Sequence, residues 1–358
     1  MPLKRPAKKI YKKKRTKKKN ESGNMKKWKK PLKLGLVGAT GVVGETFINI
    51  LEEYAQPIAE LRPFASTNSL GLNIELAGTD WPVQVLKPNC FDDLDMVFFS
   101  SGDDISKEWA PLAVQSGAFA IDNSNAFRMN SEIKLVVPEV NGDLLNNNLK
   151  PQIIANPNCS TIQLVVVLKP LLDKFGIEDV TVSTYQAVSG AGLPGYEELL
   201  NQTKNFQQAD HEPKAFTKQI LFNCIPQIGS FSEDGFSTEE IKIMNESAKI
   251  LSVPDLKISA FAVRIPALNS HSEAVWVTLK KEVTREDIIY TLGNFEGLAV
   301  LDQDFPTALE VSGEDPVFVG RIHQDLHNNK RWLMWVVSDN LKKGAALNAL
   351  QIAERLFS

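Results

Sequence analysis

One cysteine of the chain stands where the backbone could activate a thiol. Cys159 follows Asn156-Pro-Asn158 and precedes the apolar run Ile162–Leu168, which predicts a buried helix starting at this junction. The dipole and free N–H groups of a helix start stabilise a thiolate, so we expect the pKa of Cys159 to lie below the ordinary value of about 8.5. The sequence therefore predicts a nucleophile here. Cys90 and Cys224 lack such a setting and are expected to be small buried packing residues.

One histidine has a position that suits a partner for the thiol. His271 stands in a predicted loop between two strand-like runs, Lys257–Arg264 and Ala274–Leu279. A Cys and a His far apart in sequence often form an enzyme pair, but the sequence leaves open whether Cys159 and His271 meet. The other histidines lie in polar stretches and are expected at the surface: His211, His323 and His327.

A glycine-rich turn predicts a dinucleotide site. The apolar strand Lys33–Val37 runs directly into Gly38-Ala-Thr-Gly41-Val-Val-Gly44, and apolar residues at helical spacing follow. Glycines let the backbone approach a pyrophosphate, and the helix start supplies N–H groups. The G-x-x-G-x-x-G spacing departs from the commoner fingerprint, but the flanking strand and helix favour a nucleotide over an unliganded turn. The predicted contacts are Gly38, Thr40, Gly41, Val42 and Val43.

The loop after the second predicted strand bears on the choice of cofactor. An NAD-specific site places an acidic side chain there to bind the ribose hydroxyls, and Ser66–Leu70 contains none. Hydroxyl and amide donors suit a 2′-phosphate, so Asn68 and Ser69 are predicted contacts and NADP is favoured, with NAD use left open. An ordinary turn would have the same composition.

The first half of the chain predicts an α/β fold. Further apolar runs follow at the spacing of an open sheet, with a helical stretch at Ser106–Gln115 between two of them. Such runs, without alternation, are typical of parallel strands buried on both faces, and they predict a Rossmann-type doubly wound domain. The predicted strands are Leu61–Ala65, Asp95–Ser100, Ala118–Ile121 and Leu135–Val137.

Charge is distributed unevenly along the chain. The 358 residues include 40 Lys and Arg and 43 Asp and Glu, but residues 1–33 hold 16 of the basic side chains and only Glu21 as an acid. That segment carries +15 and the remainder −18. Because lysines repel each other, residues 1–32 are predicted to form a basic disordered tail. The alternatives are that it binds an anionic polymer or that most of it lies upstream of a second start codon at Met25; we expect no specific nucleic-acid binding, because no recognised module is present.

Composition excludes several classes of protein. A chain of this length with 43% hydrophobic residues supports roughly two domains. Its three widely spaced cysteines indicate neither a disulfide framework nor a zinc site, and we expect no metal. No apolar run reaches the roughly 20 residues that span a bilayer, so we expect no membrane association and a reducing cytoplasmic location.

Six motifs follow one another in an order typical of one enzyme family. They are Gly38–Gly44, Asp122–Arg128, Val137–Asn141, Asn156–Thr161, Ser183–Gly192 and Asn269–Glu273. Together they strongly resemble aspartate-semialdehyde dehydrogenase, from about residue 33 to the C-terminal segment Ser338–Ala353. Residues 1–32 lie outside the resemblance.

The resemblance implies a role for each matching residue. Cys159 would be the nucleophile, His271 the acid/base group and Gln186 the residue that orients the substrate at the thioester stage. Substrate contacts would be Arg264 to the α-carboxylate, Glu239 to the ammonium group, and Arg128 with Lys242 to the phosphate. The nicotinamide end of the cofactor would lie against Ser189, Gly190 and Asn340.

The implied reaction is the NADPH-dependent reductive dephosphorylation of L-aspartyl 4-phosphate to L-aspartate 4-semialdehyde through a cysteine thioester, in lysine, threonine, methionine and diaminopimelate biosynthesis. The resemblance also implies a homodimer or homotetramer. Its NADP-binding domain would comprise residues 33–158 and 339–358, and an α+β catalytic and dimerisation domain would comprise residues 159–338.

Two departures and two neighbouring families qualify the resemblance. Asn68 stands where the family's NADP enzymes commonly have arginine, and Ser270 stands where the family often has glycine. N-acetyl-γ-glutamyl-phosphate reductase uses the same chemistry but has Pro-Gly-Cys-Tyr at the nucleophile, which Asn158-Cys159-Ser160 disfavours. Glyceraldehyde-3-phosphate dehydrogenase would require Ser-Cys-Thr-Thr, which is absent.

Overall fold

The apolar runs of the first half assemble into a parallel sheet. The computed structural model describes residues 25–146, 148–207 and 212–358. Six strands lie in the order β2-β1-β5-β6-β8-β7, with every pair parallel, which confirms the predicted doubly wound domain. The strands are β1 Leu32–Val37, β2 Ile58–Phe64, β5 Met96–Phe99, β6 Phe119–Asp122, β7 Lys134–Leu135 and β8 Ile153–Ala155, with a separate hairpin of β3 Asn73–Leu76 and β4 Thr79–Pro82.

The second half forms a mixed sheet in the order β10-β9-β11-β14-β13-β12. Its strands alternate between buried and more exposed positions, so one face packs under helices. The predicted α+β architecture is therefore confirmed. The strands are β9 Ile177–Gln186, β10 Lys257–Arg264, β11 His271–Leu279, β12 Leu298–Leu301, β13 Val317–Gln324 and β14 Arg331–Ser338.

Helices cover both sheets. The apolar helix that starts at Cys159 passes through Pro170 without ending and shares a core with the second sheet. The α-helices within the described residues are α1 Val42–Glu53, α2 Asp103–Gln115, α3 Pro138–Asn141, α4 Cys159–Phe175, α5 Gly192–Lys204, α6 Thr238–Leu251, α7 Arg285–Gly293, α8 Ala308–Val311 and α9 Leu347–Phe357.

The C-terminal segment returns from the second sheet to the first. A π-helical turn, Lys342–Ala346, follows β14 and leads into α9, which packs in the core of the parallel sheet. Gly344 of this turn lies against the nucleophile candidate: a Cβ atom there would stand 2.8 Å from the Cβ of Cys159. Only glycine allows the turn and the start of α4 to approach so closely.

The prediction of a disordered basic tail is wrong for residues 25–32, which pack against the first sheet. Trp28 is buried, 3% exposed, in the core of the first sheet, and its backbone N–H donates to the side-chain oxygen of Gln56 at 3.2 Å. Burial of the indole outweighs the repulsion among neighbouring lysines, whose side chains remain at the surface. The rest of the predicted tail, residues 1–24, lies outside the described residues.

The structure confirms the predicted burial or exposure of most of the remaining cysteines and histidines that it describes, and contradicts it for one. Cys90 is buried, as predicted, but Cys224 is exposed because it lies on the irregular segment between α5 and α6. His323 and His327 are exposed as predicted, and His211 lies outside the described residues. All three cysteines are free thiols.

Candidate active site

A cavity of about 650 Å³ opens where the carboxyl ends of the parallel strands face the second sheet. Ser100 and Asn123, which follow β5 and β6, line it from the first sheet, as expected for a ligand site of a doubly wound fold. Eleven residues singled out from the sequence also line it: Val42, Val43, Arg128, Cys159, Gln186, Ser189, Gly190, Glu239, Lys242, Arg264 and Asn340.

Cys159 is the first residue of α4, as predicted, but the expected lowering of its pKa is wrong. Burial and the charge of Glu239 raise the pKa of the Cys159 thiol to about 12, against the opposing charges of Arg264 and Arg128. The side chain of Asn158 accepts the N–H groups of Ser160 and Thr161 at 2.9 and 3.1 Å, and although the Ser160 N–H also acts to lower the pKa of Cys159, burial and the charge of Glu239 outweigh it. The free site therefore holds a neutral thiol.

Glu239 organises the side of the cavity next to the thiol. Its Oε1 accepts hydrogen bonds from the side-chain amides of Asn158 at 2.9 Å and Gln186 at 3.1 Å. Its Oε2 lies 3.6 Å from the Nζ of Lys242. This buried carboxylate thus connects the residue before the nucleophile with Gln186, and it places a negative charge in the cavity.

The two predicted arginines are both buried at the cavity wall, 6% and 5% exposed. Arg128 donates to the carbonyls of Asn123 and Asn156, each at 2.9 Å. Arg264 donates to the carbonyl of Ala187 at 2.7 Å, and its guanidinium carbon lies 6.0 Å from the centre of the Phe216 ring. Each guanidinium retains N–H groups for an anion, since these contacts do not use all five donors.

His271 is the first residue of β11 and not part of a loop, because pairing with Ser338 extends the strand to it. The ring is fully buried, and Nδ1 accepts the backbone N–H of Ala187 at 3.1 Å. The neutral ring must therefore carry its proton on Nε2, which has no partner among the described residues. Burial and the positive charge of Arg264 hold the pKa of His271 well below its ordinary range.

Gly190 connects the histidine with the cavity. A Cβ atom at this position would lie 2.7 Å from Nη1 of Arg264 and 3.1 Å from Nε2 of His271. Gly190 lines the cavity and His271 stands directly behind it. A side chain at this position would displace one of these polar groups, so glycine lets the cavity wall approach both.

Ser270 adopts a backbone conformation that favours glycine. Its φ is +70°, which accounts for the glycine that the family often has there and makes the serine a strained substitute. The Oδ1 of Asn340 accepts the Ser270 N–H at 2.9 Å and also bonds to the hydroxyl of Ser189 at 3.1 Å. These contacts hold the residue before His271 in place.

The predicted phosphate turn lies outside the cavity walls. Gly38 and Gly41 close the turn before α1, of which Gly41 is the N-cap, while Val42 and Val43 alone reach the cavity. The hydroxyls of Thr40 and Ser69 lie 3.3 Å apart, and Asn68 is exposed beside them. The two predicted cofactor segments therefore meet, although they are 29 residues apart.

Comparisons with known proteins identify the family of the chain. The family models for the semialdehyde dehydrogenase NAD binding domain and dimerisation domain match residues 33–148 and 168–343. The aspartate-semialdehyde dehydrogenase of Aquifex aeolicus is 46% identical over 331 residues, covering 90% of this chain and 97% of the relative, and that of Bacillus subtilis is 42% identical, covering 91% and 97%. The chain belongs to the aspartate-semialdehyde dehydrogenase family.

Solved structures of the family share the fold. Aspartate-semialdehyde dehydrogenase II of Vibrio cholerae, described as complexed with ASA, has a TM-score of 0.88 at 40% identity, covering 91% of this chain and 98% of that one. The enzyme of Candida albicans, described as solved with NADP, has a TM-score of 0.71 at 28% identity, covering 91% and 98%. The comparisons give no support to the two neighbouring reductase and dehydrogenase families or to a polymer-binding protein.

Sequence reasoning missed several residues of this family member's site. Phe216 lies on an irregular segment, and no sequence signal indicates that its ring covers Arg264. Glu246 was detectable, since it follows Glu239 by two helical turns on one face of α6.

Within the described ranges, no group of three or more metal-ligating side chains is assembled, and no helix is long and apolar enough to cross a bilayer.

Proposed function

We propose that the chain reduces L-aspartyl 4-phosphate to L-aspartate 4-semialdehyde with NADPH and releases phosphate, in lysine, threonine, methionine and diaminopimelate biosynthesis. The observation that carries this proposal is the charge pattern around Cys159: one buried carboxylate, Glu239, faces buried Arg264 and Arg128 across a single cavity. A zwitterionic acyl phosphate presents an ammonium, a carboxylate and a phosphate, which such a pattern fits.

Opposite charges would place the substrate for attack. Arg264 would bind the α-carboxylate with its free N–H groups, and Glu239 would accept the ammonium group. Arg128 and Lys242 would hold the phosphate. When all three charged groups of the substrate are bound, the position of its acyl carbon is fixed. The attack of the thiol on that carbon then proceeds as an effectively intramolecular step.

The covalent steps would belong to Cys159 and His271. The sulfur of Cys159 attacks the acyl carbon, the carbon–oxygen bond to phosphate breaks, the departing phosphate takes the thiol proton, and a thioester remains. The nicotinamide, when bound, supplies the hydride that the thioester carbon accepts. The resulting oxyanion would accept a hydrogen bond from the Nε2–H of His271; as the oxyanion collapses to the aldehyde, the carbon–sulfur bond breaks and the Cys159 thiolate takes up a proton from water. Gln186, held by Glu239, would orient the acyl oxygen.

The residues present fit a dinucleotide. The turn at Gly38–Gly41 precedes a helix start, and Thr40, Asn68 and Ser69 offer hydroxyl and amide groups in place of an acid. At the other end, Ser189, Gly190 and Asn340 form an open polar wall that suits a nicotinamide carboxamide. We infer NADP as the preferred cofactor, with NAD accepted.

Domain division, assembly and location complete the proposal. We assign residues 33–158 and 339–358 to nucleotide binding and residues 159–338 to catalysis and dimerisation; packing of α9 on the first sheet supports this division. The match to a dimerisation domain supports a homodimer or homotetramer. Three free cysteines suit the reducing cytoplasm.

An assay of the purified chain tests the proposed activity. With phosphate and NADP⁺, L-aspartate 4-semialdehyde is expected to generate absorbance of the reduced nicotinamide, with kcat/KM at least about 100-fold above the values for N-acetylglutamate semialdehyde and glyceraldehyde 3-phosphate. Turnover that is equal with either of the other aldehydes would refute the proposed substrate. Omission of phosphate is the matched control and should abolish acyl-phosphate formation.

Cofactor discrimination is expected to be weak. Asn68 lacks the charge that an arginine would bring to a 2′-phosphate, so kcat/KM for NADPH should exceed that for NADH by less than about a thousandfold, or roughly 4 kcal/mol. Asn68→Arg should increase the preference for NADPH. Measuring both ratios by steady-state kinetics checks this, and a wild-type preference above a thousandfold would show the prediction wrong.

A further inference from the structure

A buried glutamate outside the predicted site contacts two of its parts. Glu246 lies on α6 and its side chain is fully buried. Its Oε1 accepts from Nη1 of Arg128 at 3.1 Å, and its Oε2 accepts the backbone N–H of Asn158 at 2.7 Å. One carboxylate therefore bridges the buried arginine and the residue directly before Cys159.

The same helix also fixes the backbone that carries the arginine. Lys249, three residues after Glu246, donates from Nζ to the carbonyls of Arg128 at 2.7 Å, Asn130 at 2.7 Å and Ile133 at 3.0 Å. The side chain and the main chain of Arg128 are thus both tied to α6. Because Glu239 and Lys242 project from this helix into the cavity, α6 sets the relative positions of the charged groups.

The charge state of Glu246 depends on this arrangement. Burial raises the pKa of Glu246, while the charge of Arg128 and the Asn158 N–H act against that rise. A buried carboxylate that lost Arg128 would be left without its compensating charge, which is strongly unfavourable. The arginine, which lines the cavity, is therefore held in one place.

We propose that Glu246 is a positioning residue that holds the phosphate-binding Arg128 in register with the Cys159 nucleophile. The inference rests on the proposed function, because it concerns the phosphate of that reaction. A phosphate bound by Arg128 then lies at a fixed distance from the sulfur, and binding of phosphate and placement of the nucleophile depend on one carboxylate. Glutamine at this position would offer one acceptor oxygen to two donors and break the connection.

The test is the KM for inorganic phosphate in the oxidative direction. Glu246→Gln should raise the KM for phosphate at least tenfold. Glu246→Asp, which keeps the charge and shortens the side chain, should give an intermediate KM. In an Arg128→Gln background the further effect of Glu246→Gln should fall below threefold, because the residue acts through that arginine. Equal KM values in folded Glu246→Gln and wild-type enzyme, or effects that multiply in full, would overturn the proposal.

Glu240→Gln is the matched control. Glu240 is also buried on α6 and accepts two backbone N–H groups, from Ser237 at 2.6 Å and Ala262 at 2.8 Å, but it has no arginine partner among the described residues. This variant should lose stability while its KM for phosphate stays within twofold of wild type. A tenfold rise in this control would show that any buried glutamate of α6 has the same effect and would overturn a specific role for Glu246.

A second readout separates this inference from the proposed function. Phosphate should protect Cys159 from alkylation by iodoacetamide, and Glu246→Gln should raise the protecting concentration at least tenfold, whether or not the enzyme turns over aspartate semialdehyde. Wild-type enzyme inactive on that aldehyde refutes the proposed function alone. Protection that is identical in both proteins refutes the role of Glu246 alone.

Discussion

Replacement of Cys159 by serine is expected to lower kcat by at least about 10⁴-fold, with little change in the binding of NADPH. The hydroxyl is nearly isosteric but is a poor nucleophile and a poor leaving group, so neither formation nor breakdown of the acyl-enzyme proceeds at a useful rate. Alanine at this position should have the same effect, since it removes the nucleophile and keeps the Cβ atom that packs against Gly344. Steady-state kinetics in both directions gives the measurement.

Cys224→Ala is the control for loss of a thiol. Cys224 is exposed and does not line the cavity, so this variant should retain wild-type kcat. Intact mass after iodoacetamide treatment should show protection by phosphate at Cys159 and none at Cys224. Activity of Cys159→Ala within tenfold of wild type would eliminate covalent catalysis through this residue.

The place of Cys159 was predictable because its cause is local. Asn, Pro and Ser before an apolar run start a helix, and α4 begins where that pattern indicates. Likewise, the capping residues Ser237 and Glu240 predict the start of α6, and the structure shows both halves of that capping box. Motif order then identified the family, which the comparisons confirm.

The direction of the Cys159 pKa was not predictable from the same pattern. The sequence reveals the helix start, but it does not show that burial and the charge of Glu239, which packs beside the thiol from another helix, outweigh the effect of that helix start. The burial of Trp28 was not predictable from the sequence for a similar reason. Its segment is dominated by lysine, and only the position of the sheet shows that an apolar site is available to the indole.

The neutral thiol defines what His271 must do. Because the pKa of Cys159 is raised and that of His271 is lowered, the free enzyme has a thiol and an uncharged imidazole, not a preformed ion pair. Because the neutral ring already carries its proton on Nε2, His271 meets the substrate as a donor, and the proton of the thiol leaves with the departing phosphate. Protonation of His271 at Nδ1 would break its contact with the Ala187 N–H, so the acid limb of the kcat/KM profile should lie below the ordinary histidine value of about 6.5.

His271→Asn is expected to lower kcat about 10² to 10⁴-fold, the usual range for loss of a general acid/base. Asparagine can still accept the Ala187 N–H, as Nδ1 does at 3.1 Å, but it presents no N–H group at the position of Nε2. His271→Gln can restore a donor there without a transferable proton. If glutamine recovers most of the activity, His271 acts as a hydrogen-bond donor; if both variants lose it and the acid limb of the pH profile disappears with them, His271 transfers the proton. Thermal unfolding of each variant separates these outcomes from a simple loss of folded protein.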